Sequence, residues 1–158
     1  MEARFVLLPD GRAVVEAAEA IGLTRLGPDE LDPMQASSRG LGELIVAALE
    51  AGATSLVVGL GDSATIDGAA GLRDVLDALP VETVVACDVA NPLLGPRGAA
   101  RAFGPQKGAS PEEVEELERR LAGAAELAPY ADLPGAGRVG SVPPWRRSVR
   151  DSFRALSL

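Results

Sequence analysis

The 158-residue sequence predicts an α/β protein with a parallel-sheet, three-layer core. An N-terminal β-hairpin belonging to a second small domain precedes that core, and a disordered C-terminal tail follows it. Three observations carry the expectation. Thr54–Leu60 and Thr83–Cys87 are nearly continuous apolar runs, the pattern of strands buried on both faces. Apolar residues at helical spacing lie before, between and after them, so the chain reads helix, strand, helix, strand, helix, with a βαβ crossover. Phe5–Leu8 and Ala13–Val15 flank Pro9-Asp10-Gly11, a turn triplet that makes a hairpin of the two short runs.

Taken in order, Glu16–Gly22 either extends the second strand or begins a short helix, and Gly27–Gln35, rich in Pro and Asp, is a loop. Leu41, Leu44, Ile45, Ala48 and Leu49 repeat at helical spacing, and Gly52 stops that helix. A second helix is expected over Gly68–Leu79, with Leu72, Val75, Leu76 and Leu79 on one side, and a short one over Gly98–Phe103. Ser110-Pro111-Glu112-Glu113 is a helix start: serine as N-cap, proline in the first turn, glutamate at the capping-box position. The helix it opens buries Val114, Leu117, Leu121 and Ala124. Its acids come early and Arg119-Arg120 late, as the helix dipole prefers. Periodicity fades after Pro129. The expected division is therefore 1–26 for the hairpin segment, 36–129 for the α/β core and 130–158 for an irregular basic tail.

Composition narrows the function. The formal charge of −8 argues against nucleic acid or an anionic membrane as partner. The longest apolar runs fall well short of a membrane span. The single cysteine, Cys87, excludes an internal disulfide and suits a reducing cytosol, so a soluble, cytoplasmic protein is expected. Histidine is absent, which removes His-based triads, His metal ligands and His general bases.

Ligands of parallel α/β sheets gather where strands end and helices begin, and two such junctions stand out. Gly59–Gly71 is rich in small residues, with Ser63 and Thr65 hydroxyls and a helix N-terminus near Gly68 that could face an anion. The alternative is a tight strand-to-helix turn with no ligand. The second junction is Cys87–Gly95, followed by Phe103–Ala109. Asp88 at the end of a buried strand must cap, pair or bind something, and capping the Asn91-Pro92 turn is the structural option. Lys107 is the only lysine beside fourteen arginines and sits in a Gly-Pro loop, which fits a point-charge phosphate contact; a solvated surface lysine is the alternative. The P-loop pattern is absent. Gly59-x-Gly61-x-x-Ala64 satisfies a loose dinucleotide pattern, but that pattern also wants an acid at the end of the next strand, near Cys87, and Glu82 lies before that strand, which leaves nicotinamide binding a lesser alternative.

These segments resemble the type-1 glycerate kinase family. Ser37–Ile45 is similar to its Ser-x-Gly-x-Gly-Glu-Leu-Ile segment, and Gly59–Gly71 to GxGGSATNDGGAG. Cys87–Gly95 is similar to CDVxNPLxG, and Phe103–Ala109 is identical to FGPQKGA. Asp62, Ile66 and Ala69 depart from the second pattern, where the family has Gly, Asn and Gly. The resemblance implies ATP-dependent, magnesium-assisted phosphoryl transfer to a hydroxyl of glycerate. It further implies catalytic roles for Asp67, Asp88 and Lys107, with Asp67 and Asp88 as metal ligands. Phosphate or substrate contacts would come from Gly61, Ser63, Thr65, Asn91 and Gln106.

The family pattern continues at both ends, so the chain is expected to carry its middle portion. Beyond Gly137 the match stops, and the tail holds five arginines against one aspartate. A one- or two-base slip in a GC-rich gene would turn a family-like Gly/Ala-rich continuation into such a tail. An inactive fragment or small-molecule-binding remnant is therefore a competing expectation, as is self-association through surfaces that truncation leaves exposed.

Overall fold

The computed structural model of the chain describes residues 2–87, 89–131 and 136–139. The hairpin forms as its turn residues dictate. Strands β1 (Phe5–Leu7) and β2 (Arg12–Glu16) pair antiparallel, and Leu8 N–H donates to Arg12 O at 2.8 Å across the turn. The ambiguous stretch that follows is a short helix, α1 (Ala17–Ile21). Residues expected as loop contain two single-turn 3₁₀ helices, Leu23–Arg25 and Pro28–Glu30.

Helix α2 (Arg39–Glu50) buries Leu41, Leu44, Ile45 and Ala48, and the chain reverses at Gly52 with φ of 98°. Each buried Leu or Ile on that face contributes about 1.5–3 kcal/mol of transfer free energy. Strand β3 (Ser55–Gly59), the single-turn helix α3 (Ala70–Arg73) and strand β4 (Glu82–Ala86) complete the crossover. The sheet order is β1-β2-β3-β4, with β2, β3 and β4 mutually parallel. The expected α/β class with a mostly parallel sheet is therefore what the chain adopts.

The hairpin shares one sheet with the core, because β2 pairs with β3 from Arg12–Ser55 to Glu16–Gly59. Two expectations are corrected in detail. Among the described residues, the strands are covered closely on one face only. Ala13, Val15, Leu56, Val58 and Val85 are buried in one cluster with Leu41, Leu44 and Ile45 of α2, whereas Val14, Val57 and Val84 are half-buried. Those three lie in register with Val6, which is 58% exposed, making a four-valine row across the open face. Apolar runs alone cannot report which face is covered, since valine suits both. Finally, the helix expected over Gly68–Leu79 stops after one turn. Asp74 and Asp77 place negative charge at its C-terminal end, and Pro80 disfavours helical backbone at Leu79.

The second half of the chain builds its own cluster. Helix α4 (Ala99–Phe103), a 3₁₀ turn over Pro105–Lys107 and helix α5 (Pro111–Gly123) bring Leu93, Ala100, Val114, Leu117 and Leu121 together with Ile66. The capping box at α5 is complete. Glu113 N–H donates to Ser110 Oγ at 3.3 Å, and Ser110 N–H donates to Glu113 Oε2 at 2.8 Å. Arg101 on α4 forks onto Glu115 of α5, donating to its Oε2 at 2.8 Å. That hydrogen bond holds the Glu115 carboxyl below the ordinary glutamate value. Past a 3₁₀ turn at Ala128–Tyr130, a last helical turn, α6 (Ala136–Val139), docks where irregular chain was expected. Ala136 is buried and Gly137 N–H donates to Asn91 O at 2.8 Å, so tertiary capture orders this turn. The rest of the expected basic tail, residues 140–158, lies outside the described residues.

Candidate functional site

The polypeptide leaves β3 at Gly59 and runs through residues 61–69 before α3 begins. Backbone bonds pin this loop to the end of α1. Leu23 N–H donates to Asp62 O and Ala64 N–H to Ile21 O, both at 2.7 Å, and Ser63 forms a bridge with Gly22. The long loop removes the dinucleotide alternative, which needs the helix to open directly on the glycine turn.

Pinning the loop fixes its two hydroxyl-bearing residues inward, and Lys107 arrives from the opposite side. The 3₁₀ turn over Pro105–Lys107 ends at Gly108, where φ is 96° and a Cβ would sit 2.8 Å from Leu31 O, so the turn requires glycine. Lys107 Nζ donates to Thr65 O at 2.7 Å and to Ser63 Oγ at 3.3 Å. The ammonium belongs to a residue only 7% exposed, and such burial demands partners. The Thr65 hydroxyl is different. Thr65 is 2% exposed, and its Oγ1 has no hydrogen-bond partner among the described residues. A buried hydroxyl left unpaired costs about 1–3 kcal/mol, so an external oxygen or nitrogen at this point has a ready contact.

Between these groups lies a cavity of about 30 Å³, room for about two waters. Asp62, Ser63, Thr65, Gln106 and Lys107 form its polar lining, and Leu23, Ile66, Phe103 and Leu121 its apolar walls. That size fits one carboxylate or one terminal phosphoryl group.

The other expected residues are placed differently. The Asp67 carboxylate turns away from the cavity and ties α2 to α3. Its Oδ2 accepts from Ser38 N–H at 2.8 Å, Ser38 Oγ at 2.7 Å and Gly71 N–H at 3.1 Å, and its Oδ1 accepts from Ala69 N–H at 3.1 Å. Ser38 Oγ in turn accepts from Leu72 N–H at 2.9 Å. A Cβ at Gly71 would lie 2.7 Å from Arg39 N, so this helix junction closes only around glycine. Asp67 lines a separate groove of about 300 Å³ with Met34, Arg73 and Arg120. The Asn91 side chain donates to Arg97 O at 2.9 Å within its own turn and does not line the cavity; nor does Gly61. Asp88 lies outside the described residues.

Donors surround Asp67, which suits a carboxylate and opposes a cation beside it. No group of three or more acidic or cysteine side chains is arranged to hold a metal among the described residues. The oxygens of Asp67 are thus taken up by protein donors. Ser38 and Glu118 are structural supports that periodicity could not reveal. Glu118 Oε1 accepts from Gly95 N–H at 2.6 Å and fastens the Asn91–Gly98 turn to α5.

The sequence profile of the Glycerate kinase family matches residues 1–81 and 76–143. The chain belongs to the glycerate kinase family. It is 39% identical to the glycerate 2-kinase of Escherichia coli K12 over 172 aligned positions, which take in 84% of the chain and 45% of that protein. It is 38% identical to the glycerate kinase of Bacillus subtilis 168, over 90% of the chain and 47% of the relative. The crystal structure described as glycerate kinase 2 of Salmonella typhimurium LT2 superposes with a TM-score of 0.84 at 34% identity, covering 90% of the chain and 49% of its own. The chain thus spans about half the length of the glycerate kinases it matches. The 172 aligned positions exceed the chain's own 158 residues, so the relative carries extra residues inside the matched stretch. The two profile matches meet at 76–81, the irregular stretch where α3 ends early.

The glycerate kinase pattern also explains two backbone outliers. Asp62 (φ 52°) and Ala69 (φ 60°) are the non-glycine residues with positive φ among the described residues. Both stand where the family pattern has glycine. The loop keeps a glycine conformation with side chains that pay for it.

Proposed function

We propose that the chain's cavity binds one oxyanionic group of the substrates of an ATP-dependent phosphoryl transfer to a glycerate hydroxyl. The bond from the terminal phosphorus to ADP breaks, a bond from phosphorus to the glycerate oxygen forms, and the hydroxyl proton is released. Such transfers ask a protein mainly for positioning and charge neutralisation. Lys107 supplies positive charge, while Ser63, Thr65 and Gln106 supply directional contacts to a carboxylate or terminal phosphoryl group. The buried, unpartnered Thr65 Oγ1 beside the Lys107 ammonium is the observation that carries this reading. Family membership supports ATP as donor. Asp67 is committed to four protein donors, which leaves Asp88 as the carboxylate candidate for holding magnesium. A cytoplasmic setting agrees with the single cysteine. No helix among the described residues is long and apolar enough to cross a membrane.

A second reading, a non-catalytic protein that binds small anions, is favoured by Asp67's structural employment. The open valine row favours self-association of the chain through that sheet face. Release of ADP from ATP, D-glycerate and magnesium separates the two functional readings. Turnover abolished by Thr65→Val and Lys107→Met supports the kinase; saturable anion binding without turnover supports the non-catalytic reading.

A further inference from the structure

We propose that Asp62 sets the charge preference of the cavity, favouring monoanionic over dianionic groups; this rests on the reading of the cavity as an oxyanion site. Asp62 is an exposed acid in the polar lining, the same lining that holds the buried Lys107 ammonium and the unpartnered Thr65 hydroxyl. Its position is fixed by its own backbone, since Asp62 O accepts from Leu23 N–H at 2.7 Å and Ser63 next to it bridges to Gly22. The backbone attachment keeps the Asp62 Cα at the cavity.

Geometry makes this charge count for more than an ordinary surface acid. Low-dielectric walls focus field lines through a cleft, and here Leu23, Ile66, Phe103 and Leu121 are those walls. An incoming anion meets attraction from Lys107 and repulsion from Asp62 along the same short path. Repulsion scales with ligand charge, so a dianion is penalised by twice the free energy of a monoanion, and the fold-penalty is squared. The left-handed backbone at Asp62 adds a second indication that the residue is not neutral filler. Aspartate there holds a conformation that glycine adopts without strain, yet its side chain is unburied and gains nothing from packing.

The test is calorimetric titration of the full chain at pH 8 in EDTA, with inorganic phosphate as dianion and D-glycerate as monoanion. Asp62→Asn keeps side-chain size and tolerance of the left-handed region, so the loop is retained. Removing the charge should tighten glycerate by about 3-fold and phosphate by about 10-fold at low salt. Both gains should shrink toward unity near 1 M salt, where the screening length is about 3 Å. Asp62→Gly should behave the same way, and Thr65→Val should weaken both ligands in either background. Equal affinities in the parent and Asp62→Asn, both weakened by Thr65→Val, would leave the oxyanion site standing and overturn the role of Asp62. Absence of binding in the parent and in Asp62→Asn alike would overturn both.

Discussion

Replacing Asp67 by alanine removes a single acceptor group that holds four donors from two helices. Ser38 N–H, Ser38 Oγ, Gly71 N–H and Ala69 N–H lie 2.7–3.1 Å from its oxygens. Hydrogen bonds to an ionised group contribute about 1.5–3 kcal/mol each, and a buried donor left unpaired costs about 1–3 kcal/mol. Asp67 is half-buried, so water can reach part of the vacated site; Ser38 is fully buried, so its groups cannot be fully rescued. The expected loss for Asp67→Ala is therefore about 3–5 kcal/mol, a large part of the stability of a domain this size. Asp67→Asn should cost about 1–2 kcal/mol, because its amide must turn N–H groups toward at least one protein donor. Ser38→Ala should cost about 2–3 kcal/mol by stranding Leu72 N–H. Urea unfolding at constant m-value measures all three, and the Asp67/Ser38 double-mutant cycle should show coupling of about 1–2 kcal/mol. An Asp67→Ala loss below about 1 kcal/mol, or strict additivity in the cycle, would contradict the structural role and return Asp67 to the catalytic candidates.

Four further outcomes are expected. Asp62→Gly relieves a left-handed backbone at an exposed site and should stabilise by about 0.5–1 kcal/mol, raising Tm by a few degrees. Ala69→Gly relieves similar strain but loses a fully buried methyl worth about 0.8 kcal/mol, so thermal melts should show almost no change. Glu115→Gln should make stability less steep in acid. The Glu115 carboxyl is held low by the Arg101 hydrogen bond, so its contribution is present above the ordinary glutamate range and disappears as pH falls through the lowered folded value. Denaturation midpoints against pH for both proteins check this. Val57→Thr at the centre of the open valine row should lower self-association in sedimentation velocity without unfolding the chain; an unchanged concentration dependence would remove that face as the contact.

Much of this architecture was legible because certain signals are local. Ser110-Pro111-Glu112-Glu113 specifies its own capping box, and Gly52 specifies its own left-handed stop, so neither depends on distant packing. Ser63, Thr65 and Lys107 were each singled out from strand ends and from the unchanged Phe103–Ala109 segment, and the fold brings them within hydrogen-bond reach of one another. What escaped the sequence depends on partners far along the chain. The side chain of Asp67 could point into the loop or back toward α2, and only the position of Ser38, 29 residues earlier, decides it. Likewise the apolar periodicity of Leu72, Val75, Leu76 and Leu79 promised a longer helix than the chain forms. Leu76 and Leu79 reach the core from irregular backbone instead. The coverage of the sheet was equally hidden, because Val14, Val57 and Val84 read the same whether a layer lies over them or not.

Methyl-resolved NMR of Thr65, followed during titration with inorganic phosphate, probes the cavity at the atom group that defines it. A saturable shift of the Thr65 methyl, moving in step with the Lys107 side-chain signals and abolished by Lys107→Met, is the predicted result. Shifts confined to surface arginines, or a Thr65 signal indifferent to phosphate, would contradict a shared oxyanion pocket between this loop and Lys107.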